Sequence, residues 1–586
     1  MRLEGIPAVA GIVCGKAMLY APYDPAGEQW AADQLKSAED RTAAYEGAKS
    51  AALMELAAVQ RRLSGGQNDA ADVLGAQQTL LEDVAIDEDI RFALTTGACP
   101  SQAIINTYNS FMEILRTADS DMIEQRVADL RDVCNRLLRC LAGKREQNLA
   151  VLDNPVIVVA KDLYPSDTAA IDRKNILGIV TEEGGLTSHT VVIARGYGIP
   201  TVVGVTGVTD SINDGDELIA DAEEGCVYIR PSDQERALYR MRKKRFDRAA
   251  NRLASYLEVD AVTRCGTRVQ VELNISGADG MDAEATYADG VGLMRSEFLY
   301  LGRKALPDEQ EQMASYRAIL EKFSGKPVIL RTLDVGGDKQ LPCLQPSREQ
   351  NPFLGKRALR LCLDQMDVFR VQLRAAIRAS AYGDLWLMFP MVGSLDDWRR
   401  AKSCVYDVMQ ELEREKIPFN RQIKLGIMIE IPAIALMADK VAREADFASI
   451  GSNDLCQYLL AADRMNPEVS SYYQEFHPAV FRLLGDIAQA FSKSGKPLGI
   501  CGEMGGDPLS ALALLGLGIR VFSMSAANVP RMKRMITKVS LSEAKKIADE
   551  ICGLDTADEV KKVLQKEMDR ILSHEEERMQ YARLVQ

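Results

Sequence analysis

The sequence predicts a multidomain α/β protein: an N-terminal α/β domain carrying an inserted helical bundle, then a linker helix, then a C-terminal (β/α)8 TIM barrel. Three observations predict it. Two proline-free stretches rich in Ala, Leu, Glu, Gln and Arg run from Ala26 to Cys99 and from Ser101 to Asn154. Short β-branched runs separated by turn residues follow, up to residue 230. Beyond residue 259, eight short apolar stretches recur with room for a helix after each.

The first element, Ile6 to Tyr20, alternates Gly, Ala and Val and reads as a strand with a turn. Its apolar opening superficially resembles a signal peptide, but Glu4, Pro7, Gly11 and Gly15 interrupt it, so an edge strand is expected. The two proline-free stretches use residues that lose little rotamer freedom in a helix. Their apolar positions recur at three and four, as in Met122, Val127, Leu130, Val133, Leu137 and Leu138. Breaks at Ser64-Gly65-Gly66 and at Gly97-Ala98-Cys99-Pro100 divide them into a helical hairpin or bundle. Pro155–Ala160, Ile176–Thr181, Thr201–Gly204 and Glu217–Ala220 then read as strands of a compact α/β domain, which the first strand is expected to rejoin. Residues 231–258, with Gln234-Glu235-Arg236 and Lys243-Lys244-Arg245, read as a solvated connecting helix.

The last 330 or so residues hold the most regular pattern: Val269–Ile275, Gly290–Met294, Val328–Arg331, Trp386–Met391, Leu425–Glu430, Phe447–Ile450, Leu498–Cys501 and Val521–Ser523. Eight alternating β/α units of this size suit a closed parallel barrel. An open doubly wound sheet has the same spacing and competes with it.

Composition narrows the function. The chain has 586 residues, 47% of them hydrophobic, and 71 basic against 84 acidic side chains give a net charge of −13. That excludes wholesale binding to nucleic acid or to an anionic membrane, yet permits one small anion held by a local arginine cluster. No run of 18 apolar residues occurs, so no spanning helix is expected. Twelve cysteines without a CxxC pair, and only three histidines, argue against disulfide or zinc frameworks and fit a reducing cytoplasm.

In such a barrel the working side chains project from the C-terminal strand ends. Those ends carry Asn274, Arg295, Arg331 with Asp334, Glu430, Asn453 with Asp454, and Cys501 with Glu503; Arg464 follows soon after. Guanidinium forks match a phosphate or carboxylate in two-point contact. Glu430 and Asp454 are hard oxygen ligands on neighbouring strands, and two carboxylates completed by substrate oxygens and water usually seat Mg²⁺. Metal and arginines together would offset the charge of a small, dense anion. Ion pairs that merely line the barrel mouth would explain any one of these residues, though less readily the set. A buried cysteine is usually inert packing. Cys501, between Ile500 and Gly502 and facing the charged cluster, is placed to give a proton to carbon.

His189 lies in Glu183-Gly184-Gly185-Leu186-Thr187-Ser188-His189-Thr190, ahead of a helix that Thr187 or Ser188 can cap. A helix N-terminus disfavours the imidazolium and favours an attached anion, which suits a nucleophile that carries a phosphoryl group. A hydrogen-bonded surface histidine fits the same local context. His477, before Pro478, and His574, among Glu575, Glu576 and Glu577, read as structural or solvent-exposed. No GxxxxGK[ST] occurs, and no convincing GxGxxG follows a strand.

These residues resemble the phosphoenolpyruvate-utilising enzymes, and among them the Enzyme I group of bacterial sugar phosphotransferase systems. Gly184 to Thr190, continuing to Ala194-Arg195 and Gly198-Ile199-Pro200, is similar to the family's phosphohistidine motif. Gly290 to Phe298, Arg331 to Lys339, and Ile450 to Leu455 with Gln457-Tyr458 and Asp463-Arg464 look like its barrel motifs. The resemblance runs end to end. It implies a phosphohistidine domain from 1–20 and 145–230, an inserted helical domain at 21–144 that docks the carrier protein HPr, a linker helix at 231–258, and a phosphoenolpyruvate-binding barrel at 259–586 that forms a homodimer. It implies a phosphohistidine at His189, with Thr168 nearby. Phosphoenolpyruvate would be gripped by Arg295, Arg331, Asn453, Asp454 and Arg464, with Mg²⁺ on Glu430 and Asp454 and Cys501 protonating the enolate to pyruvate. Departures from the family pattern are Ser452 for a threonine, Met465 for a glycine, Tyr164 for a threonine and Gln77 for a histidine; the last bears on carrier docking. Rival readings are a dikinase or synthase with an ATP-binding domain, a regulatory paralogue, a non-enzymatic scaffold and a barrel lyase.

Overall fold

The computed structural model describes residues 1–20, 25, 28, 30–63, 78–116, 121–144, 149, 152, 154–163, 171, 174–185, 188–278, 280–300, 305–336 and 349–584; the side chains of Met122, His189 and His574 lie outside the description, as do Gln77, Tyr164 and Thr168. The chain divides into two units, Met1–Ala249 and Ala250–Gln586.

In the first unit, β1 (Arg2–Glu4), β2 (Ile6–Val9), β3 (Ile12–Tyr20), β4 (Val156–Ala160), β5 (Ile176–Thr181), β6 (Thr201–Val203), β7 (Glu217–Asp221) and β8 (Cys226–Ile229) make one sheet in the order β1-β8-β7-β3-β4-β5-β6-β2. The expected rejoining occurs: β3 runs parallel to β4, Lys16 opposite Val156 and Tyr20 opposite Ala160. The expectation of an edge strand needs correcting. β1 and β2 are edges, but β3 is central, because it pairs with β7 on one side and with β4 on the other. β8 went unforeseen; it closes a hairpin on β7 through a turn in which Gly225 takes φ 72°.

The insert between β3 and β4 is helical: Ala38–Leu63, Val84–Thr95, Pro100–Arg116 and Asp121–Leu141. Leu130, Val133, Leu137 and Leu138 are buried against Ile90, Leu94, Ile104 and Tyr108, which is the stripe the three-and-four spacing predicts. Asp83 starts the second helix by accepting the backbone N–H groups of Ala85 and Ile86. The linker is one helix, Asp233–Ala254, and it is less solvated than its charge suggests. Tyr239 is buried against Tyr228, and Arg242 pairs with Asp221 (3.0 Å) and Glu224 (2.8 Å).

In the second unit, β9 (Gln270–Ile275), β10 (Val291–Met294), β11 (Val328–Arg331), β12 (Leu385–Phe389), β13 (Lys424–Ile429), β14 (Phe447–Ile450), β15 (Leu498–Ile500) and β16 (Val521–Met524) close into a barrel. Every neighbouring pair is parallel, and β16 returns to β9 with Val521 opposite Gln270. Closure removes the open-sheet alternative and leaves no edges. The predicted stretch Trp386–Met391 ends two residues early. Pro390 follows β12, and Met391 turns with φ 52°. One interior wall is apolar, with Leu293, Ile329, Met388, Met428 and Phe447.

Around the barrel, helix Pro508–Leu517 packs so closely on helix Leu541–Cys552 that a Cβ on Gly516 would stand 2.0 Å from the carbonyl oxygen of Ala544. Gly516→Ala must therefore push two backbones apart. We expect a loss of about 1–3 kcal/mol, read as a lower urea midpoint with an unchanged slope. Among the described residues no helix is long and apolar enough to cross a membrane.

Candidate active site

The strand ends of the barrel gather an alternating row of charges. Arg331, the last residue of β11 and 6% exposed, places Nη1 2.9 Å from Asp334 Oδ2 and donates from Nη2 to Glu297. Arg357, 3% exposed, reaches Asp334 Oδ1 at 3.1 Å, Asp454 Oδ1 at 3.4 Å and Tyr458 Oη at 3.1 Å. Arg464 Nη2 is 3.9 Å from the same Asp454 oxygen. Buried charges persist only when paired and hydrogen-bonded, which this alternation achieves. Burial works against both buried guanidiniums, but the adjacent carboxylates, Asp334 first, prevail and raise both.

Glu430 stands just past β13, almost wholly buried, and accepts the N–H of Met391 on Oε1. Burial, followed by Asp454 and Asp334, pushes its carboxyl up to about 8. The positive φ of Met391 is what turns that N–H toward the carboxylate, an instance of local strain held at a polar site.

The donor set fits a divalent cation. Arg357 and Arg464 both approach Oδ1 of Asp454, and Met391 engages Oε1 of Glu430, which leaves the second oxygen of each carboxylate without those partners. Gly451 keeps this corner open: a Cβ there would sit 2.7 Å from Glu430 Oε2. Among the described residues no three His, Cys, Asp or Glu side chains form a self-sufficient metal cluster. A cation here would rest on two carboxylates and draw its other ligands from substrate and water, as Mg²⁺ commonly does.

Cys501 follows β15 and is 4% exposed. Its Sγ lies 3.5 Å from the Ile450 carbonyl. Burial pushes the thiol up to about 11, with Arg331 and Arg295 pulling the other way. A thiol held protonated in this way is a poor nucleophile at neutral pH. Asn274 Nδ2 donates to the Cys501 carbonyl at 3.0 Å, and Asn453 Oδ1 accepts the N–H of Glu503 at 2.8 Å. Gly502 is needed between them, since a Cβ would fall 2.0 Å from Ser452 Oγ. Arg295 is exposed, with its backbone N–H on the Ile275 carbonyl.

The structure thus brings Arg331, Glu430, Asp454, Arg464, Asn453 and Cys501 to one end of the barrel, with Arg295 acting on the thiol. His189 belongs to the other unit. It is the first residue of helix His189–Tyr197, reached from β5 through Gly184 at φ 97°. Ser188 occupies the N-cap position, yet its hydroxyl caps nothing and has no partner, so the side-chain cap expected of it is absent. Thr187 lies outside the described residues. Thr190 instead anchors the helix start, donating to the Leu163 carbonyl at 3.2 Å. His477 caps helix Pro478–Ser494, its Nδ1 accepting the N–H of Ala479 at 3.1 Å, a structural role.

Sequence reasoning missed Arg357, Tyr458's place beside it, and the Met391 N–H. Arg357 lies far beyond the end of β11, in the long connection before helix Leu359–Asp364. The length of that connection in the sequence was the available signal, because long loops in compact domains are often functional.

Comparison with known proteins accounts for this arrangement. The family model described as "PEP-utilising enzyme, PEP-binding domain" matches residues 250–541, the "mobile domain" model matches 152–225, which contain His189, and the "N-terminal" model matches 4–126. The chain is 40% identical to a phosphoenolpyruvate-protein phosphotransferase of Bacillus sp. (strain S) over 95% of its length and 96% of the relative's. Identity is also 40% to that of Geobacillus stearothermophilus, with the same coverage, and 38% to that of Staphylococcus carnosus (strain TM300), over 95% of this chain and 98% of the relative. The chain belongs to the phosphoenolpyruvate-utilising enzymes, in the group of the phosphoenolpyruvate-protein phosphotransferases.

Proposed function

We propose that this enzyme moves the phosphoryl group of phosphoenolpyruvate to His189 and then to a histidine of the carrier HPr, releasing pyruvate, as the first step of a cytoplasmic sugar phosphotransferase system. The observation that carries this reading is the buried thiol of Cys501 beside a row of guanidiniums and carboxylates at the barrel's strand ends.

The neutral imidazole of His189 attacks the phosphorus; the N–P bond forms as the bond to the enol oxygen breaks. Arg295, Arg331, Arg464 and Asn453 hold the phosphoryl and carboxylate oxygens, and their charge is worth most on the negative charge that develops in transfer. Mg²⁺ on Glu430 and Asp454, when bound, supplies further neutralisation of that charge. Cys501 gives its proton to the terminal carbon of the departing enolate, which becomes pyruvate, and the thiolate regains a proton from solvent. Arg357 is the tie between Asp334 and Asp454: Arg357→Lys keeps the charge but loses the fork. We expect it to lower kcat/KM for phosphoenolpyruvate on the order of 10²-fold, measured by coupled pyruvate release.

Thr168 would assist His189, and the helical insert at 21–144 would dock HPr. His189 and Cys501 belong to different units, so the histidine domain must visit both donor and acceptor; crosslinking that immobilises it without loss of turnover would refute this. The barrel unit would form the homodimer. The direct test is incubation with labelled phosphoenolpyruvate and Mg²⁺, with and without HPr. Acid-labile label should appear on the protein, pass to HPr, and not arise from ATP; label from ATP would favour a dikinase.

A further inference from the structure

Within the barrel, Glu272 and Asn274 of β9 and Ser523 of β16 form a polar cluster, while Leu293, Ile329, Met388, Met428 and Phe447 form an apolar one. Glu272 points inward from β9 and is 3% exposed, and its Oε2 has no hydrogen-bond partner. Gly292 on β10 makes the space for it: a Cβ there would lie 2.6 Å from Glu272 Oε2 and 2.5 Å from Ser523 Oγ, so both oxygens crowd one point. Ser523 Oγ in turn donates to Asn274 Oδ1 at 2.6 Å, and Asn274 Nδ2 donates to the carbonyl of Cys501 at 3.0 Å. A hydroxyl has one proton to give. It can rest on Asn274 or on a neighbouring carboxylate, and an ionised carboxylate is the stronger acceptor.

We propose that Glu272 is a positioning residue for proton delivery by Cys501, holding the Ser523–Asn274 chain on the main chain of the thiol only while its carboxyl is neutral. This rests on the reading of Cys501 as the acid. Burial, with Asp289 next, pushes the Glu272 carboxyl up to about 8. Asp289 is itself paired with Arg268 at 2.8 Å. The residues facing Glu272 from β10 and β16, Gly292 and Ser523, carry no charge; Leu293, Ile329, Met388, Met428 and Phe447 make up the apolar cluster, and Lys424 at the foot of β13 lies over the Trp386 ring. Ionised, Glu272 would have no cation beside it and would draw the Ser523 proton from Asn274. A carboxyl with a raised folded-state pKa stabilises fully below the ordinary carboxyl range and loses that contribution as pH climbs toward 8.

The test uses the full-length enzyme with phosphoenolpyruvate, Mg²⁺ and HPr. Wild-type kcat should fall above pH 8, and in Glu272→Gln, whose amide can donate but not ionise, that fall should move at least one pH unit higher or vanish. Ser523→Ala should lower kcat about tenfold with little change in KM, and flatten the same limb. Glu272→Met, which can neither ionise nor accept the Ser523 proton, should melt higher than wild type, by more at pH 8.5 than at pH 5, and should keep its kcat above pH 8; a merely structural residue would move the melting point without moving the alkaline limb. A Glu272→Gln profile superimposable on wild type overturns the proposal. Cys501→Ala separates the two readings: if it still makes pyruvate at the wild-type rate, the acid itself is misassigned, whereas its failure beside an unaltered Glu272→Gln profile removes only the role of Glu272.

Discussion

His189→Ala is expected to take up no acid-labile label from phosphoenolpyruvate and to lose carrier phosphorylation on the order of 10⁴-fold or more, the cost of deleting a nucleophile from a unit that acts through it. No other described histidine is a substitute. His477 spends Nδ1 on the N–H of Ala479. Alanine is the best helix former, so at the first residue of helix His189–Tyr197 it should leave the fold and the melting curve intact. Reverse transfer from phospho-HPr should vanish as well, since both half-reactions pass through the same ring. Label retained at wild-type levels would show that another group carries the phosphoryl, and the proposed function would fail.

The second large effect is at Arg331. Arg331→Ala removes the guanidinium shared by Glu297 and Asp334, both buried, while Asp334 keeps its pairing with Arg357. Breaking a buried pair in this way costs about 3–5 kcal/mol, so the barrel unit should melt measurably earlier. Phosphorylation by phosphoenolpyruvate should fall by about 10²–10³-fold or more, the usual cost of one lost donor to developing charge. Reverse transfer from phospho-HPr should persist, because it requires His189 and the helical insert, which belong to the other unit. Loss of both directions would mark Arg331 as structural. Arg331→Lys should recover stability better than turnover, since an ammonium keeps the charge and loses the fork.

Much of the fold was legible. Residues two apart in a strand, and three or four apart in a helix of the insert, share a face because strand and helix periods are fixed by backbone geometry. Val133, Leu137 and Leu138 therefore bury where the spacing placed them. Strand ends were misjudged by a residue or two where the backbone turned. β12 stops before Pro390, and Glu430 stands just past β13 instead of within it. The site was legible wherever a residue lay at a strand end, as with Arg331, Asp454 and Cys501. It was not legible at Arg357, which lies well beyond its strand in sequence, nor at Glu272, whose isolation depends on a glycine of β10 and a serine of β16, the strands on either side of it.

By itself the sequence determined the elements, the helical insertion, and the types of side chain offered at the strand ends, because these follow from local periodicity and residue chemistry. Tertiary structure alone decided that the sheet closes, that β3 is central, that Arg357 bridges Asp334 and Asp454, and that Ser188 caps nothing. The physical reason is that hydrogen-bond partners and buried charge balance are set by residues distant in the chain, whose separation in space no local pattern encodes.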